Sequence, residues 1–270
     1  MKRKIRLSPI LGIIFALIWL LPFYLIVVNS FKSKTEIFSN TLGLPKDFTF
    51  ENYPEAFKEL DFGHSFINTL FITVVAVILI SLVSSMAAYA IQRSENKFCK
   101  LFYFVFVAAM LVTFQSVMIP LVSIYGKAQM LNRFGLIFMH LGFNVSMGVF
   151  MFAGALKGIP KSLDEAATID GANRWQIFFK IIYPMLKPTA VTVALLNAIL
   201  IWNDYLLPSL VINKPGMQTI PIKMFYFFGA YTKQWHLALA GLLIAIVPVI
   251  IFYFFMQKHI VKGVADGAVK

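Results

Sequence analysis

Six stretches of about 20 apolar residues recur along the chain, and they constrain its fold more than any other feature. A helix of about 20 such residues crosses a bilayer whose hydrocarbon core is about 30 Å thick. The stretches are centred in residues 9–30, 66–90, 101–124, 135–156, 188–208 and 236–257. Within them, only Asp204 carries a charge. The pattern predicts an all-α membrane protein with six transmembrane helices in a single domain of residues 1–270.

The composition excludes most other classes of protein. Hydrophobic residues make up 59% of the 270 residues and charged residues 13%, whereas a soluble domain has about 45–50% and about 25%. A soluble enzyme and a disordered chain are therefore excluded. The one cysteine, Cys99, supplies neither an intrachain disulfide nor a cluster of thiolate metal ligands.

The basic residues indicate the orientation of the chain. The net charge of +12 could suggest nucleic-acid binding, but membrane proteins concentrate Lys and Arg in their cytoplasmic segments. With both termini inside, 15 of the 24 Lys and Arg fall on the inner side and 9 on the outer side. This bias predicts N-in and C-in ends and no nucleic-acid partner. The first stretch follows MKRKIR and could be a signal peptide, but its apolar run is longer than a typical signal sequence has, so we interpret it as a retained span.

The inner segment 157–187 is longer than a helix hairpin requires and contains its own helix signals. Ser162 and Glu165 have the spacing of a capping box at a helix start. The pattern ends at Asp170-Gly171, where glycine tolerates the left-handed conformation that terminates a helix. These local signals leave two roles open for Glu165, a helix cap or a contact with a partner.

The same segment contains a second amphipathic stretch, 175–182, which is expected to end before Pro184. Pro188 then opens the fifth span, because proline is tolerated in the first turn of a helix. The sequence therefore predicts a helix–turn–helix on the cytoplasmic face.

The spacing across this segment resembles the loop signature of permease subunits of binding-protein-dependent ATP-binding cassette (ABC) importers. The matching positions are Glu165, Ala166, Ala167, Asp170, Gly171, Ala172, Phe178, Ile181, Pro184 and Pro188. The Asp-Gly-Ala ending resembles the carbohydrate-uptake branch, which includes maltose and oligosaccharide importers. Further stretches resemble the smaller permease subunit of that branch: Glu51-Asn52-Tyr53, Asn68-Thr69, 87–90 with Arg93, Trp202-Asn203-Asp204 and the tail 261–270. Tyr183 departs from the pattern, which often has Leu there.

The resemblance implies a permease subunit of an ATP-driven importer for a di- or oligosaccharide, forming half of the translocation pathway. It implies that Glu165, Ala166, Ala167, Asp170 and Gly171 belong to a cytoplasmic coupling helix between spans four and five, which sits in a groove of an ATPase. The implied partners are a second homologous permease subunit, two ATP-binding cassette ATPases, an extracytoplasmic solute-binding protein and the lipid of a bacterial plasma (inner) membrane.

The sequence predicts no catalytic activity for this chain. It has no GxxxxGK(S/T) phosphate loop, no GxSxG nucleophile motif and no HExxH zinc motif. We therefore expect no catalytic residues, metal site or cofactor here, with ATP and Mg bound by the partner ATPase.

Polar residues within the spans are candidates for the substrate pathway, because polar side chains at membrane depth usually face the bundle interior or a water-filled cavity. Asn144 lies one turn after His140, and Asn197 lies two turns before Asp204. Amides and carboxylates suit a sugar, which is uncharged and covered in hydroxyl groups. We expect Asn144 and Asn197 to face the pathway, with Asp204 toward its outer end.

Two alternatives remain for these polar residues. The asparagines could instead form hydrogen bonds between helices. A proton-coupled secondary transporter would use Asp204 and His140. An intramembrane enzyme would need a catalytic dyad or a metal cluster within the spans, and the sequence contains neither.

Overall fold

The computed structural model describes residues 7–229 and 233–268, and within these ranges the regular structure is helical. The helices are α1 (Leu7–Ser30), α2 (Lys34–Ser39), α3 (Asn52–Glu59), α4 (Phe62–Arg93), α5 (Lys97–Ala109), α6 (Phe114–Lys127), α7 (Arg133–Leu156), α8 (Ser162–Ile169), α9 (Arg174–Gln176), α10 (Tyr183–Met185), α11 (Lys187–Asn203), α12 (Leu206–Val211), α13 (Ile220–Tyr226) and α14 (Trp235–Ala268). A π-helical segment, Ile177–Ile182, connects α9 to α10. The all-α prediction is confirmed for the described residues.

Three of these helices, α4, α7 and α14, are long and apolar enough to cross a membrane. Two bent helix pairs pass the same test, α5 with α6 and Arg174–Met185 with α11, which raises the number of candidate spans to five. In α1, the part Phe15–Ser30 is a shorter apolar helix. The basic residues of the tail 1–6, on which the predicted N-in orientation partly depends, lie outside the described residues.

The third predicted span, 101–124, is not one continuous helix, and in this respect the sequence prediction is wrong. The chain bends by 105° between α5 and α6. Backbone bonds of the tighter i to i−3 kind close the end of α5, from Leu111 to Ala108 and from Val112 to Ala109. Thr113 is then extended, with φ −77° and ψ 144°, so that α6 starts in a new direction. Hydropathy does not register this break because the apolar run before Thr113 continues after it, with Phe114 and 117–122.

The fifth predicted span, 188–208, is also shorter than expected. α11 ends at Asn203, and the backbone of Asp204 is extended at ψ 123°. The short helix α12 follows from Leu206. At its other end, α11 meets the preceding helical stretch at a 75° bend.

Two compact units divide the chain: Met1–Gly63 with Ile222–Ile250, and His64–Pro221 with Ile251–Lys270. In the first unit, Ala56 of α3 and Leu60, the residue after its end, pack against Phe227, Leu237 and Ala238. The predicted single domain of residues 1–270 stays a prediction.

The first unit also contains a fully buried lysine, Lys32, beneath the loop after α1. Its Nζ donates to Asn29 Oδ1 at 3.0 Å and to the carbonyl oxygens of Asn40 and Gly43 at 2.5 and 2.6 Å. Burying a charge is costly unless it is fully hydrogen-bonded. These three oxygens therefore explain how the loop accommodates an ammonium group.

In the second unit, α4, α7 and α11 approach one another closely. Gly148 of α7 faces Ser84 of α4, and Val193 of α11 lies beside the same point. A helix without a side chain at the contact lets its neighbour come nearer. This contact lies eight residues before the end of α7, after which the segment 157–187 begins.

Candidate functional site

The start of α8 differs from its predicted capping box. Lys161, in a helical conformation, is the cap residue, and no side chain bonds to the free amides there. The amides of Asp164 and Glu165 bond instead to the carbonyl of Lys161, at 3.0 and 3.2 Å. Ser162 thus lies inside the helix, because the turn begins earlier at Pro160. The cap role for Glu165 is wrong, and its carboxylate is exposed to solvent.

The end of α8 is where the sequence predicts it. Gly171 has φ +82°, the left-handed conformation that glycine adopts without strain. The amide of Gly171 bonds to the carbonyl of Thr168 at 3.0 Å, and that of Ala172 to the carbonyl of Ala167 at 2.9 Å. This pair of bonds is the Schellman motif, which satisfies carbonyls at a helix end.

The five residues of α8 and its end that the resemblance assigns to a coupling helix lie together on this short element. Glu165, Ala166, Asp170 and Gly171 are exposed, whereas Ala167 is buried. Ile169 is 86% exposed, although an isoleucine usually lies inside. An apolar residue beside small and acidic ones gives α8 a surface suited to contact with another protein.

An anchor that the sequence analysis missed attaches α8 to the end of α4. Asp164 accepts a hydrogen bond from Tyr89 Oη at 2.6 Å and forms an ion pair with Arg93 Nε at 3.0 Å. Arg93 Nη2 also donates to the carbonyl oxygen of Ile159 at 3.2 Å. Tyr89 and Arg93 lie one turn apart on α4, so both reach the same carboxylate. The Arg93 and Asp164 side chains are both mostly shielded from solvent, so water and salt weaken this ion pair less than they weaken an exposed one.

The spacing of Tyr89 and Arg93 could have indicated this anchor. An arginine and a tyrosine one turn apart at the end of an apolar helix require a polar partner. Asp164, in the first turn of α8, is an acidic residue of the segment that follows α7. The pairing spans 75 residues in sequence, and local patterns contain no information about which acidic residue is chosen.

The second half of the segment forms a true capping box, at Asn173 and Gln176. The Asn173 side chain accepts from the amide of Gln176 at 2.9 Å, and the Gln176 side chain accepts from the amide of Asn173 at 2.8 Å. The predicted end before Pro184 is wrong, because the helical path continues through α10 into α11. Proline is tolerated at this point because it lies within the first turn of α10, where an amide needs no helical partner.

Aromatic residues hold the π-helical segment in place. Phe178 is buried, and its ring centroid lies 5.3 Å from that of Tyr89. Trp175 is 62% exposed and stacks on Phe179 with ring centroids 6.1 Å apart. The Tyr89 side chain therefore contacts both halves of the segment 157–187, through Asp164 and through Phe178.

The three polar residues of the predicted pathway all belong to the second unit. Asn144 is half-buried, and its Nδ2 donates to the carbonyl of His140 at 2.9 Å. Asn197 is 2% exposed, and its Nδ2 donates to the carbonyl of Val193 at 2.8 Å, while its Oδ1 has no partner. Asp204 is half-buried, and its Oδ1 accepts from the amide of Leu207 at 3.4 Å.

Both asparagines thus bond to the carbonyl one turn back in their own helix. Within the part of the chain that the structure describes, neither side chain forms a hydrogen bond to another helix. Their role in the pathway stays a prediction.

Asn68 and Thr69, one of the stretches that resemble the permease family, hold a loop near the start of α13. Asn68 Nδ2 donates to the carbonyl oxygens of Gly216 and Gln218, at 3.0 and 3.1 Å. Thr69 Oγ1 accepts from the amide of Ile220 at 3.0 Å. Arg133 Nη2 donates to Gly216 as well, at 2.7 Å. This loop is therefore fixed to the starts of α4 and α7.

The described side chains include no group of three or more His, Cys, Asp or Glu that could hold a metal ion.

Comparison with known proteins gives concordant results. Residues 80–266 match the family model described as "Binding-protein-dependent transport system inner membrane component". A probable permease for starch degradation products from Thermoanaerobacterium thermosulfurigenes is 55% identical over 98% of this chain and 96% of its own length. A melibiose, raffinose and stachyose import permease from Bacillus subtilis is 33% identical over 99% and 98%.

A solved structure has the same fold. It is the crystal structure of a bacterial ABC transporter involved in the import of the acidic polysaccharide alginate. The TM-score is 0.77 at 27% identity, over 93% of this chain and 94% of that one.

Proposed function

Because this chain belongs to the family of inner membrane components of binding-protein-dependent transport systems, as the resemblance predicted, we propose that it is a permease subunit of an ATP-driven importer for a di- or oligosaccharide. The names of its relatives support a sugar: one is named for starch degradation products and another for melibiose, raffinose and stachyose. The proposed location is a bacterial plasma (inner) membrane.

The observation that carries the proposal is the exposed helix α8, attached to α4 through Asp164. An importer needs a rigid connection between ATP hydrolysis and the membrane helices. Changing a two-state population from 1:99 to 99:1 takes about 5.5 kcal/mol of differential binding. An ATPase that grips Glu165, Ala166 and Ile169 would move the end of α4 with α8, because the ion pair and the Tyr89 hydrogen bond connect them.

The proposed topology has six crossings with both ends inside. The long helices α4, α7 and α14 supply three, and the bent pairs and α1 supply the other three. In this arrangement α8 is the cytoplasmic coupling helix between spans four and five. The excess of Lys and Arg in the inner segments supports this orientation.

The proposed assembly contains a second homologous permease, two ATPases and an extracytoplasmic solute-binding protein. ATP and Mg would bind to the ATPases, so this chain would take part in transport without a catalytic residue of its own. Each permease would then form half of the translocation pathway.

Within this chain, Asn144 and Asp204 are the stronger candidates for contact with the sugar, since both side chains are partly exposed. Asn197 is buried, but its unpaired Oδ1 leaves an acceptor available if the surrounding helices separate. An unsatisfied buried acceptor costs about 1–3 kcal/mol. A sugar hydroxyl would satisfy it.

Replacing Asn144 and Asn197 by alanine tests whether these side chains contact the sugar. We expect Asn144→Ala to raise the sugar concentration for half-maximal uptake several-fold, and Asn197→Ala to act in the same direction. The measurement is sugar uptake into proteoliposomes with the whole assembly, and Asn203→Ala, exposed at the end of α11, is the matched control. Unchanged affinity and rate in both variants would remove these residues from the pathway.

The energy source tests the proposed function as a whole. The assembly is reconstituted with its ATPases and binding protein, and uptake is measured with ATP inside and with the proton gradient collapsed by an ionophore. We expect uptake to require ATP and to persist without the gradient. Uptake that survives ATP depletion but disappears with the gradient would instead indicate a proton-coupled transporter that uses Asp204 and His140.

A further inference from the structure

A cavity of about 650 Å³ lies where the ends of α4 and α7 meet the start of α5. It is lined by Ile91, Gln92, Ser94, Glu95, Lys100, Tyr103, Phe104, Lys157 and Lys161. All these residues belong to the second unit. The cavity adjoins the start of α8 through its cap residue, Lys161, but its lining includes neither the exposed residues of α8 nor Asn144, Asn197 and Asp204.

The charge of the lining is positive. Lys161 Nζ lies 3.5 Å from Glu95 Oε1, an exposed contact in which the two charges offset each other. Lys100 and Lys157 form no ion pair with any side chain that the structure describes. Both side chains are exposed, and together with Lys161 and Glu95 they give the lining a net positive charge that would attract an anion.

The helix beside the cavity is apolar and unpartnered on much of its surface. No residue of α5 is buried, although the helix packs against α7. Leu101, Phe102 and Val105 are each more than half exposed, as is Phe104 at the cavity itself. A ligand held here would thus have a charged part in the cavity and an apolar part along α5.

We propose that this cavity binds the phosphate-containing headgroup of an anionic phospholipid, with its acyl chains along α5. Basic pockets between membrane helices hold such headgroups. Lys100 and Lys157 would contact the phosphate, while Tyr103 and Phe104 would lie at the level of the glycerol, where aromatic side chains concentrate in membrane proteins. In the orientation proposed above, this lipid belongs to the cytoplasmic leaflet.

Two kinds of ligand would bring a phosphate group to this cavity: a phospholipid, through its headgroup, or a soluble phosphorylated metabolite. The apolar surface of α5 favours the lipid, because a soluble metabolite has no acyl chains to cover it. An acidic loop of a partner protein would be a different class of occupant.

Native mass spectrometry of the purified assembly in detergent tests the proposal, with phosphatidylglycerol and phosphatidylcholine as probes. We expect phosphatidylglycerol to bind more tightly, and the Lys100→Gln/Lys157→Gln variant to bind it about 25-fold more weakly, from about fivefold for each lysine. Lys97→Gln, which removes a charge from the same helix outside the cavity, is the matched control and should keep most of the binding. Exposed lysines contribute little to folding, so equal yields of the assembly are expected.

Three results would overturn the proposal. The first is equal phosphatidylglycerol affinity in the wild-type and Lys100→Gln/Lys157→Gln assemblies. The second is full displacement of the lipid by sn-glycerol 3-phosphate at an equal concentration, which would assign the cavity to a soluble phosphate. The third is zero-length cross-linking of Lys100 or Lys157 to a carboxylate of a partner subunit, with no lipid retained. Because lipid binding is measured without transport, a negative result would leave the proposed function intact.

Discussion

At the scale of single residues, Gly171 decides where α8 ends. Its φ of +82° lies in a region that residues with a Cβ atom enter at a cost. A Cβ atom at this position would meet no atom within 4 Å, so the cost of a substitution is conformational and not steric. This makes the position a clean test of the helix end.

Gly171→Ala is expected to destabilise the assembly by about 1–2 kcal/mol, because alanine must adopt the left-handed conformation. Gly154→Ala is the matched control: that glycine lies within α7, and its added methyl also meets nothing within 4 Å. There alanine should be neutral or slightly stabilising, since it favours a helix. Thermal unfolding of the purified assembly measures both, and equal midpoints would contradict the assignment of the helix end.

Asp164 is the second residue on which the site depends. Asp164→Asn removes the charge that pairs with Arg93 while keeping the size of the side chain, and we expect a loss of about 1–3 kcal/mol. Asp47→Asn, at an exposed aspartate in the segment after α2, makes the same replacement and should change stability by less than about 0.5 kcal/mol. The midpoint of thermal unfolding distinguishes them, and the anchor would be refuted if the two variants were equally stable.

At the scale of elements, the contact between α4 and α7 depends on the absence of a side chain at Gly148. A Cβ atom built there would lie 2.6 Å from Ser84 Cβ. Real side chains do not approach so closely, so one helix would have to move. Because α8 is attached to the end of α4 and follows α7 in the chain, this contact also sets the position of α8.

Gly148→Ala is therefore expected to cost about 1–3 kcal/mol through overpacking. Gly142→Ala, on the same helix, is the control because a methyl group there meets nothing within 4 Å. Unfolding of the assembly in denaturant compares the two. If Gly148→Ala were as stable as Gly142→Ala, the close approach of the two helices would be wrong.

The elements also illustrate how far the sequence could predict this fold. Apolar length identifies α4, α7 and α14, because a buried or lipid-facing helix needs only a continuous apolar run. It fails at Thr113 and Asp204, where the chain changes direction through backbone angles. Hydropathy carries no information on direction, so it predicts each of the two broken helices as one continuous span.

The candidate site was predictable in part, for similar reasons. The end of α8 at Gly171 follows from a local conformational preference. The start was mispredicted because Lys161 is already helical and Ser162 therefore has no cap position to fill. The Asp164 anchor depends on Tyr89 and Arg93, which are distant in sequence, and only the fold brings them together.

For the molecule as a whole, the exposed surface of α8 is suited to contact with another subunit. Ile169 and Trp175 are large apolar residues exposed on the segment 157–187, which lies in the cytoplasm in the proposed orientation. Large exposed apolar surfaces often mark protein interaction sites. The proposed ATPase contact would give this segment, which is longer than a hairpin requires, a role.

Site-specific cross-linking from α8 tests the proposed contact with an ATPase. In a Cys99→Ser background, Ile169→Cys is labelled with a benzophenone maleimide in the transporting assembly, with Leu42→Cys, exposed in the segment after α1, as the control. On illumination, we expect the label at position 169 to form a covalent cross-link to the ATPase subunit and the label at position 42 to form none. Links from position 169 to lipid or detergent alone, while sugar uptake continues, would contradict it.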